Sequence, residues 1–243
     1  MPLSREKALD DIRRNIGSHG LHIYFILSST IPRFSYSIGL YEKHGVELML
    51  PGGFYYSSDE VAKIFNGIAA MAAEDGLISG QVFSVDGLGT FELGPVDPSW
   101  SREMILGAYD YYDRDSIDAL QIKPDGGHWT LDVPDLARPW SPTVEPVWQW
   151  LHEPWTYPVP PDSDAFTNLA ALRGGCVTHA IRTEENEWDL FAGFGADLPK
   201  EEVRIVPVGT LVAVDPSMEA VLAISVGEGL VRDSKDDEWE PWD

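Results

Sequence analysis

Residues 21–27 read Leu-His-Ile-Tyr-Phe-Ile-Leu and residues 34–40 read Phe-Ser-Tyr-Ser-Ile-Gly-Leu, and these two stretches decide the fold of the N-terminal part. Both are rich in β-branched and aromatic residues, and a short segment with turn-forming residues joins them. Residues 46–50 form a third apolar run that ends at a proline and two glycines. This pattern predicts three adjacent β-strands.

Helical periodicity appears on both sides of these strands. Apolar residues at helical spacing predict an amphipathic helix within residues 1–16. A second helix is predicted to begin at Ser58 as its cap, because Asp59 and Glu60 then lie at the positive end of the helix dipole. Residues 99–112 have the spacing of a third helix.

The remaining strand and helix patterns extend to the C-terminus. Asp215 is a candidate N-cap and Pro216 a first helical residue for a helix over residues 217–224. Further strands are predicted at residues 81–85, 90–93, 117–122, 175–183, 187–194, 203–214 and 230–232. Interspersed helices and strands predict an α+β fold with mixed or antiparallel sheets, a few packed helices and two units.

The two units are predicted to be residues 1–135 and 164–243, joined by a connecting segment of residues 136–163. Eight of the eighteen prolines lie between Asp132 and Ser163, so this stretch cannot form one regular element. It also contains four tryptophans, and such large apolar rings are normally buried. We therefore expect the connecting segment to pack against the first unit.

A formal net charge of −23 restricts the partners that the protein can bind. A surface this acidic repels nucleic acid and anionic membranes and attracts a basic protein. The alternative is that the negative charge only keeps the protein soluble and has no role in binding. No apolar run is long enough to span a bilayer and no secretory signal is recognisable, so we expect a soluble, cytoplasmic protein of undetermined oligomeric state.

The sequence contains no compact catalytic, metal or cofactor motif. His19 and His22 are three residues apart, and so are Cys176 and His179. Along a strand this spacing places side chains on opposite faces, which disfavours a shared metal ion or a thiol–imidazole pair. Gly87 and Gly89 lack the context of a dinucleotide-binding loop. We therefore expect no metal and no cofactor.

One group of residues in the first unit could form a ligand pocket. The acidic cluster that ends the predicted helix of residues 99–112 could hold a cation or act as acid and base, although such residues also commonly satisfy turns. Together with the strand at residues 34–40, it gives a candidate pocket formed by Tyr36, Asp113, Arg114 and Asp115.

The N-terminal part resembles a known bacterial family. Residues 34–40, followed by Glu42-Lys-His-Gly45 and Glu47-Leu48, resemble the signature of the family known as domain of unknown function 4262. Residues 112–115, residues 119–122 and the Pro124-Asp125 pair resemble its second block. The sequence departs from the family at Val46, before the Glu47-Leu48 pair, and at Lys123 in the second block. The resemblance covers roughly residues 10–140 and implies no particular reaction.

The C-terminal part is similar in pattern to the immunity-protein-33-like group, domain of unknown function 2185. The similarity rests on residues 176–179, residues 188–193, residues 211–216, Gly227 and Arg232. It implies a protective role, in which such a domain binds and neutralises a bacterial toxin. Together with the negative charge, this predicts a non-catalytic immunity protein that covers the basic active surface of the toxin. The partner-binding residues would lie in the acidic tail, residues 233–243, and are Asp236, Asp237, Glu238, Trp239 and Trp242.

Two alternatives to this hypothesis stay open. The tail has the composition of a disordered segment, in which case it forms no binding surface. The first unit could instead be an enzyme or a small-ligand-binding domain of unknown reaction that uses the candidate pocket.

Overall fold

The fold is α+β and contains two mixed six-stranded sheets, which confirms the predicted fold class. The computed structural model describes residues 5–73, 75–195 and 198–242. Residues 1–4 of the predicted first helix and Asp243 of the predicted tail lie outside the described residues.

The elements alternate along the chain. The α-helices are α1 (Arg5–His19), α2 (Tyr41–His44), α3 (Ser58–Met71), α4 (Pro98–Met104), α5 (Leu106–Tyr112), α6 (Leu169–Leu172), α7 (Val208–Val212) and α8 (Glu219–Leu222). The strands are β1 (His22–Ile26), β2 (Phe34–Ile38), β3 (Glu47–Pro51), β4 (Val82–Val85), β5 (Gly89–Pro95), β6 (Ala119–Pro124), β7 (Asp164–Asn168), β8 (His179–Glu184), β9 (Glu187–Phe191), β10 (Val203–Pro207), β11 (Gly229–Val231) and β12 (Glu240–Pro241). Short 3₁₀ helices cover Pro146–Leu151, Lys200–Glu202 and Pro216–Met218.

Each sheet contains a single parallel pair near its centre. The first sheet has the order β1-β2-β3-β6-β5-β4, in which only β3 and β6 are parallel. The second has the order β10-β7-β9-β8-β11-β12, in which only β7 and β9 are parallel. In each parallel pair an intervening stretch of chain crosses from one strand to the next, as parallel pairing requires.

Helices cover both faces of the first sheet. Leu48 and Leu50 of β3 pack in one core with the apolar face of α3, which includes Phe65. Met49, between them, points to the opposite face and packs with α1, α4 and α5, where Trp100 is fully buried. Successive strand residues thus enter different cores, which explains why all five residues of β2 and of β3 are buried.

Several predicted boundaries were wrong for local reasons. The cap of α3 is Ser57, whose side chain accepts a hydrogen bond from the Glu60 N–H while the Glu60 carboxylate accepts one from the Ser57 N–H. This reciprocal arrangement is a capping box. The helix predicted over residues 99–112 is broken at Ile105, whose backbone leaves helical geometry, into α4 and α5.

The C-terminal part also differs from its predicted elements. Residues 203–214 were predicted as strand, but they form β10 and then α7. The prediction failed because all five residues of α7 are buried, and a continuously buried stretch has the same pattern in a helix and in a strand. The predicted helix of residues 217–224 is a 3₁₀ turn followed by α8, although Asp215 is its cap, as predicted. The sequence reasoning missed β7 and β12.

The connecting segment contributes buried tryptophans. Trp148 is fully buried, packs on Phe34 and Trp100, and donates from Nε1 to the Asp132 carbonyl at 2.9 Å. On the other side, Gly209 of α7 lies so close to Trp150 that an added Cβ would be 2.7 Å from its ring. The segment thus contacts elements that precede it and elements that follow it.

A loop after β3 provides a second connection between the sheets. Arg204 of β10 donates from Nε to the Phe54 carbonyl at 2.7 Å and from Nη2 to the Tyr55 carbonyl at 2.9 Å. Arg33 donates to the Gly53 carbonyl in the same loop at 2.9 Å. Because desolvated carbonyls need donors, these arginines stabilise the loop between the sheets.

The turn that joins β2 to β3 is organised by the fully buried carboxylate of Glu47. Its Oε1 accepts hydrogen bonds from the backbone N–H groups of residues 39–41 at 2.9–3.1 Å and from the Tyr112 hydroxyl at 2.6 Å. Its Oε2 accepts one from the Ser37 hydroxyl at 2.5 Å. Burial raises the pKa of Glu47, and the bonds from Ser37, Tyr112 and the backbone act in the opposite direction.

Removing this carboxylate should destabilise the protein strongly. Glu47→Ala leaves several buried donors without an acceptor. We therefore expect the free energy of unfolding, measured by urea unfolding, to fall by about 3 kcal/mol or more. Glu47→Gln keeps an acceptor in place and should cost less. The control Glu42→Ala changes an exposed residue of α2 and should stay within about 0.5 kcal/mol of wild type. A Glu47→Ala protein as stable as this control would contradict the role given to Glu47.

Candidate functional site

A cleft of about 560 Å³ lies at the β11–β12 side of the second sheet. We call it the acidic aromatic cleft. Its lining residues are His179, Phe194, Val231, Arg232, Asp233, Asp237, Glu238, Glu240 and Trp242.

Three aromatic rings give the cleft an apolar surface. The His179 ring lies 4.3 Å from the Phe194 ring and 5.5 Å from the Trp242 ring, measured between centroids. Phe194 is 72% exposed and Trp242 is 42% exposed, so both rings are accessible to a ligand. Exposed aromatic faces attract cations through their quadrupoles.

The carboxylates of the cleft all come from the C-terminal tail. Asp233, Asp237, Glu238 and Glu240 line it, and each of these residues is exposed. Arg232 is the one Lys or Arg in the lining, and it is only 5% exposed. The cleft therefore presents an excess of negative charge to solvent.

The Arg232 guanidinium is directed inward and is fully engaged. It donates to the Asp215 carboxylate at 2.6 Å, to the Val177 carbonyl at 2.8 Å and to the Ser217 hydroxyl at 2.7 Å. Its charge also lies 4.2 Å from the centroid of the Trp239 ring. These contacts attach the start of the tail to residues that precede β8 and α8.

Asp215 is held in its charged form by this network. Burial alone would raise the pKa of Asp215, but the hydrogen bonds from Ser217 and Arg232 and the Arg232 charge outweigh it, so that the pKa of Asp215 is lowered. The carboxylate therefore remains ionised at neutral pH and neutralises the buried guanidinium.

The end of the tail is fixed by strand pairing. In the β11–β12 pair, Leu230 lies opposite Pro241, and the Trp242 N–H donates to the Gly229 carbonyl at 2.9 Å. Between the two ends, the Ser234 hydroxyl donates to the Asp237 carboxylate at 2.7 Å. The tail, predicted either to bind or to be disordered, therefore forms an ordered wall of the cleft over residues 233–242.

A smaller cavity shares two lining residues with the cleft. It has a volume of about 230 Å³, and the shared residues are His179 and Trp242. Asp189 of β9 also lines it, and burial raises the pKa of this carboxyl. The Trp242 side chain thus lines both cavities.

The structure places the predicted tail residues in different surroundings. Asp237, Glu238 and Trp242 line the cleft, whereas Asp236 is exposed outside its lining. Trp239 was predicted as a partner-binding residue, and its ring packs against the core of the second sheet beneath Arg232. Trp239 thus supports the tail from inside.

The residues of the predicted N-terminal pocket do not share one environment. Tyr36 is buried, and its hydroxyl accepts a hydrogen bond from the Gly107 N–H at 3.2 Å. Asp113, Arg114 and Asp115 are exposed after the end of α5, where Asp113 has a left-handed backbone and Arg114 lies over the Tyr41 ring. The geometry is that of a helix end, and the pocket stays a prediction.

Sequence reasoning missed several residues of the cleft. His179 was considered only as a partner of Cys176, and Phe194, Asp233 and Glu240 were not singled out. The available signal was the aromatic content of the tail beside its charges. The position of His179 and Phe194 opposite that tail depends on the pairing of β11 with β8, which no local pattern shows.

The described residues contain neither a metal-binding cluster nor a helix suited to cross a membrane. Within residues 5–73, 75–195 and 198–242, no group of three or more His, Cys, Asp or Glu side chains is arranged to hold a metal ion. Among the helices of this part of the chain, none has both the length and the apolar content needed to cross a membrane.

Substitutions of the Arg232–Asp215 pair should show strong coupling. Arg232→Met and Asp215→Asn each leave one buried charge unpaired, so each should lower the free energy of unfolding by about 3 kcal/mol or more in urea titrations. The double variant should lose clearly less than the sum of the two.

The exposed pair Arg13–Asp10 provides the matched control, since both side chains are 59% exposed. Arg13→Met should cost less than about 1 kcal/mol. Strictly additive losses at Arg232 and Asp215 would contradict the network described above.

Comparison with known proteins gives one match. Residues 15–129 match the family model described as domain of unknown function (DUF4262). This confirms the predicted resemblance of the N-terminal part, and the matched span contains all six strands of the first sheet.

The match does not reach the second sheet or the acidic aromatic cleft. The similarity of the C-terminal part to the immunity-protein-33-like group therefore gains no support from it. No curated protein and no solved structure matches the chain. The chain is thus similar to domain of unknown function (DUF4262) in the residues that build its first sheet.

Proposed function

We propose that this protein is a non-catalytic binding protein whose acidic aromatic cleft takes up positively charged side chains of a basic protein partner. The single observation that carries the proposal is the composition of the cleft. Four tail carboxylates surround exposed aromatic rings, and the one arginine in the lining is paired internally.

The spacing of the carboxylates favours side chains over a metal ion. They are not grouped as ligands of one ion among the described residues, and they spread along a tail of ten described residues. Lys and Arg side chains combine an apolar stem with a charged end, so they can contact the rings and the carboxylates together. A basic segment with several such side chains matches the cleft.

The charge of the whole chain would promote the encounter. A net charge of −23 attracts a basic protein over the screening length of about 8 Å at physiological ionic strength. Such steering raises the association rate, while desolvated aromatic contacts slow dissociation. The binding mechanism is therefore occlusion of a basic surface.

The most specific form of the proposal is an immunity protein that neutralises a cognate toxin. It is supported by the charge of the chain and by the sequence pattern of residues 176–232 described above. A toxin with a basic active surface would meet the requirements of the cleft.

A charge-matched pair of variants tests the cleft directly. The probe is an acetylated and amidated tetralysine peptide, titrated by calorimetry and by tryptophan fluorescence. The variant Asp237→Asn/Glu238→Gln removes two cleft carboxylates, and we expect its Kd to rise about tenfold at low salt and less at high salt.

The control variant Glu184→Gln/Glu185→Gln removes two exposed charges at the β8–β9 turn and should bind nearly as wild type does. The same peptide with acetylated lysines should not bind. If both double variants lose the same affinity, the peptide is attracted by net charge alone and the proposal is wrong.

A further inference from the structure

We propose that β1, the free edge of the first sheet, pairs with β1 of a second copy, so that the protein forms a two-fold symmetric dimer. This inference is independent of the proposed function, because the cleft lies on the other sheet.

The edge has the hydrogen-bonding groups that such pairing needs. β1 is the first strand in the sheet order, and its strand partner among the described residues is β2. In an antiparallel pair, alternate residues direct their N–H and C=O groups away from the partner. Alternate residues of the five in β1 therefore present unpaired backbone groups to which another strand can bond.

Apolar side chains lie at the end of this edge. Phe25 is 38% exposed, Ile26 is 36% exposed and Leu27, which follows the strand, is 78% exposed. Three consecutive exposed apolar residues on an edge strand are a feature that monomeric proteins usually avoid.

The absence of charge identifies a second copy as the occupant. Residues 15–32 contain no Asp, Glu, Lys or Arg, in a chain whose net charge is −23. Two copies repel each other wherever their acidic surfaces meet, and this edge is free of that repulsion. A basic partner, in contrast, would gain no charge attraction there.

The groove beside this edge has no Asp, Glu, Lys or Arg in its lining. It has a volume of about 470 Å³, lies beside the start of β1 and is lined by uncharged or imidazole side chains, including Asn15, His19 and Asn66. Burial lowers the pKa of His22, which also lines the groove, so its ring is neutral at physiological pH.

Both edges of the second sheet carry features that oppose pairing. In the second sheet, β10 contains Arg204 and ends at Pro207, and β12 consists of Glu240 and Pro241. Charges and prolines are common means of protecting sheet edges.

Pairing of β1 with itself gives a closed assembly. The same strand is used by both copies, so the interface is isologous and no further copy can add. The product is one continuous twelve-stranded sheet, made from the six strands of each first sheet.

The test is the mass of the full chain in solution, measured by sedimentation equilibrium from low micromolar to roughly 100 μM protein. We expect twice the chain mass of 27.0 kDa at the upper concentrations. Association should strengthen with added salt, because salt screens repulsion between the acidic remainders of the two copies.

Leu27→Glu places a carboxylate on each side of the two-fold axis and should give the mass of one chain. Its urea midpoint should equal that of wild type at low micromolar protein, where dissociation of the dimer makes no difference to stability. The control Val144→Glu adds the same charge at an exposed apolar residue of the connecting segment and should dimerise as wild type does. A wild-type mass of one chain at all concentrations, or a Leu27→Glu protein that still dimerises, would overturn the proposal.

Discussion

The C-terminal surface depends on one constraint, the need of the buried Arg232 guanidinium for acceptors and a counter-charge. A charged group removed from water is stable only when its donors are satisfied and its charge is compensated. Asp215, Ser217 and the Val177 carbonyl supply the acceptors, and the Trp239 ring covers the guanidinium. The tail is therefore attached where it begins, and its carboxylates are held in one place.

A buried carboxyl group organises the N-terminal part in a similar way, through hydrogen bonds. The Glu47 carboxylate is buried, and backbone and hydroxyl donors of residues 37–41 and Tyr112 surround it. Ser37, Gly39 and Glu47 belong to the stretch that resembles the family signature, and Tyr112 begins its second block. This network gives the signature a structural role, because it fixes the turn between two central strands.

Local patterns predicted the first sheet well and the site less well. The strands around residues 21–27 and 34–40 were predictable because β-rich runs alternate with clear turn residues. β7 was missed because it is only five residues long and three of them, Asp164, Thr167 and Asn168, are polar, although Thr167 and Asn168 are buried in the structure. The cleft could be predicted only in part, since Asp237 and Trp242 lie in the tail whereas His179 meets them through long-range strand pairing.

The net negative charge is thus divided unevenly over the surface, with an ordered acidic wall on one sheet and a charge-free edge on the other. The account depends most on the order of the tail, because a mobile tail would present no cleft. Amide hydrogen exchange at single-residue resolution tests this directly. The Arg232 N–H, bonded to the Thr178 carbonyl, and the Trp242 N–H, bonded to the Gly229 carbonyl, should exchange about as slowly as the amides of β8. Exchange at the rate of an unfolded chain for both amides would contradict the account.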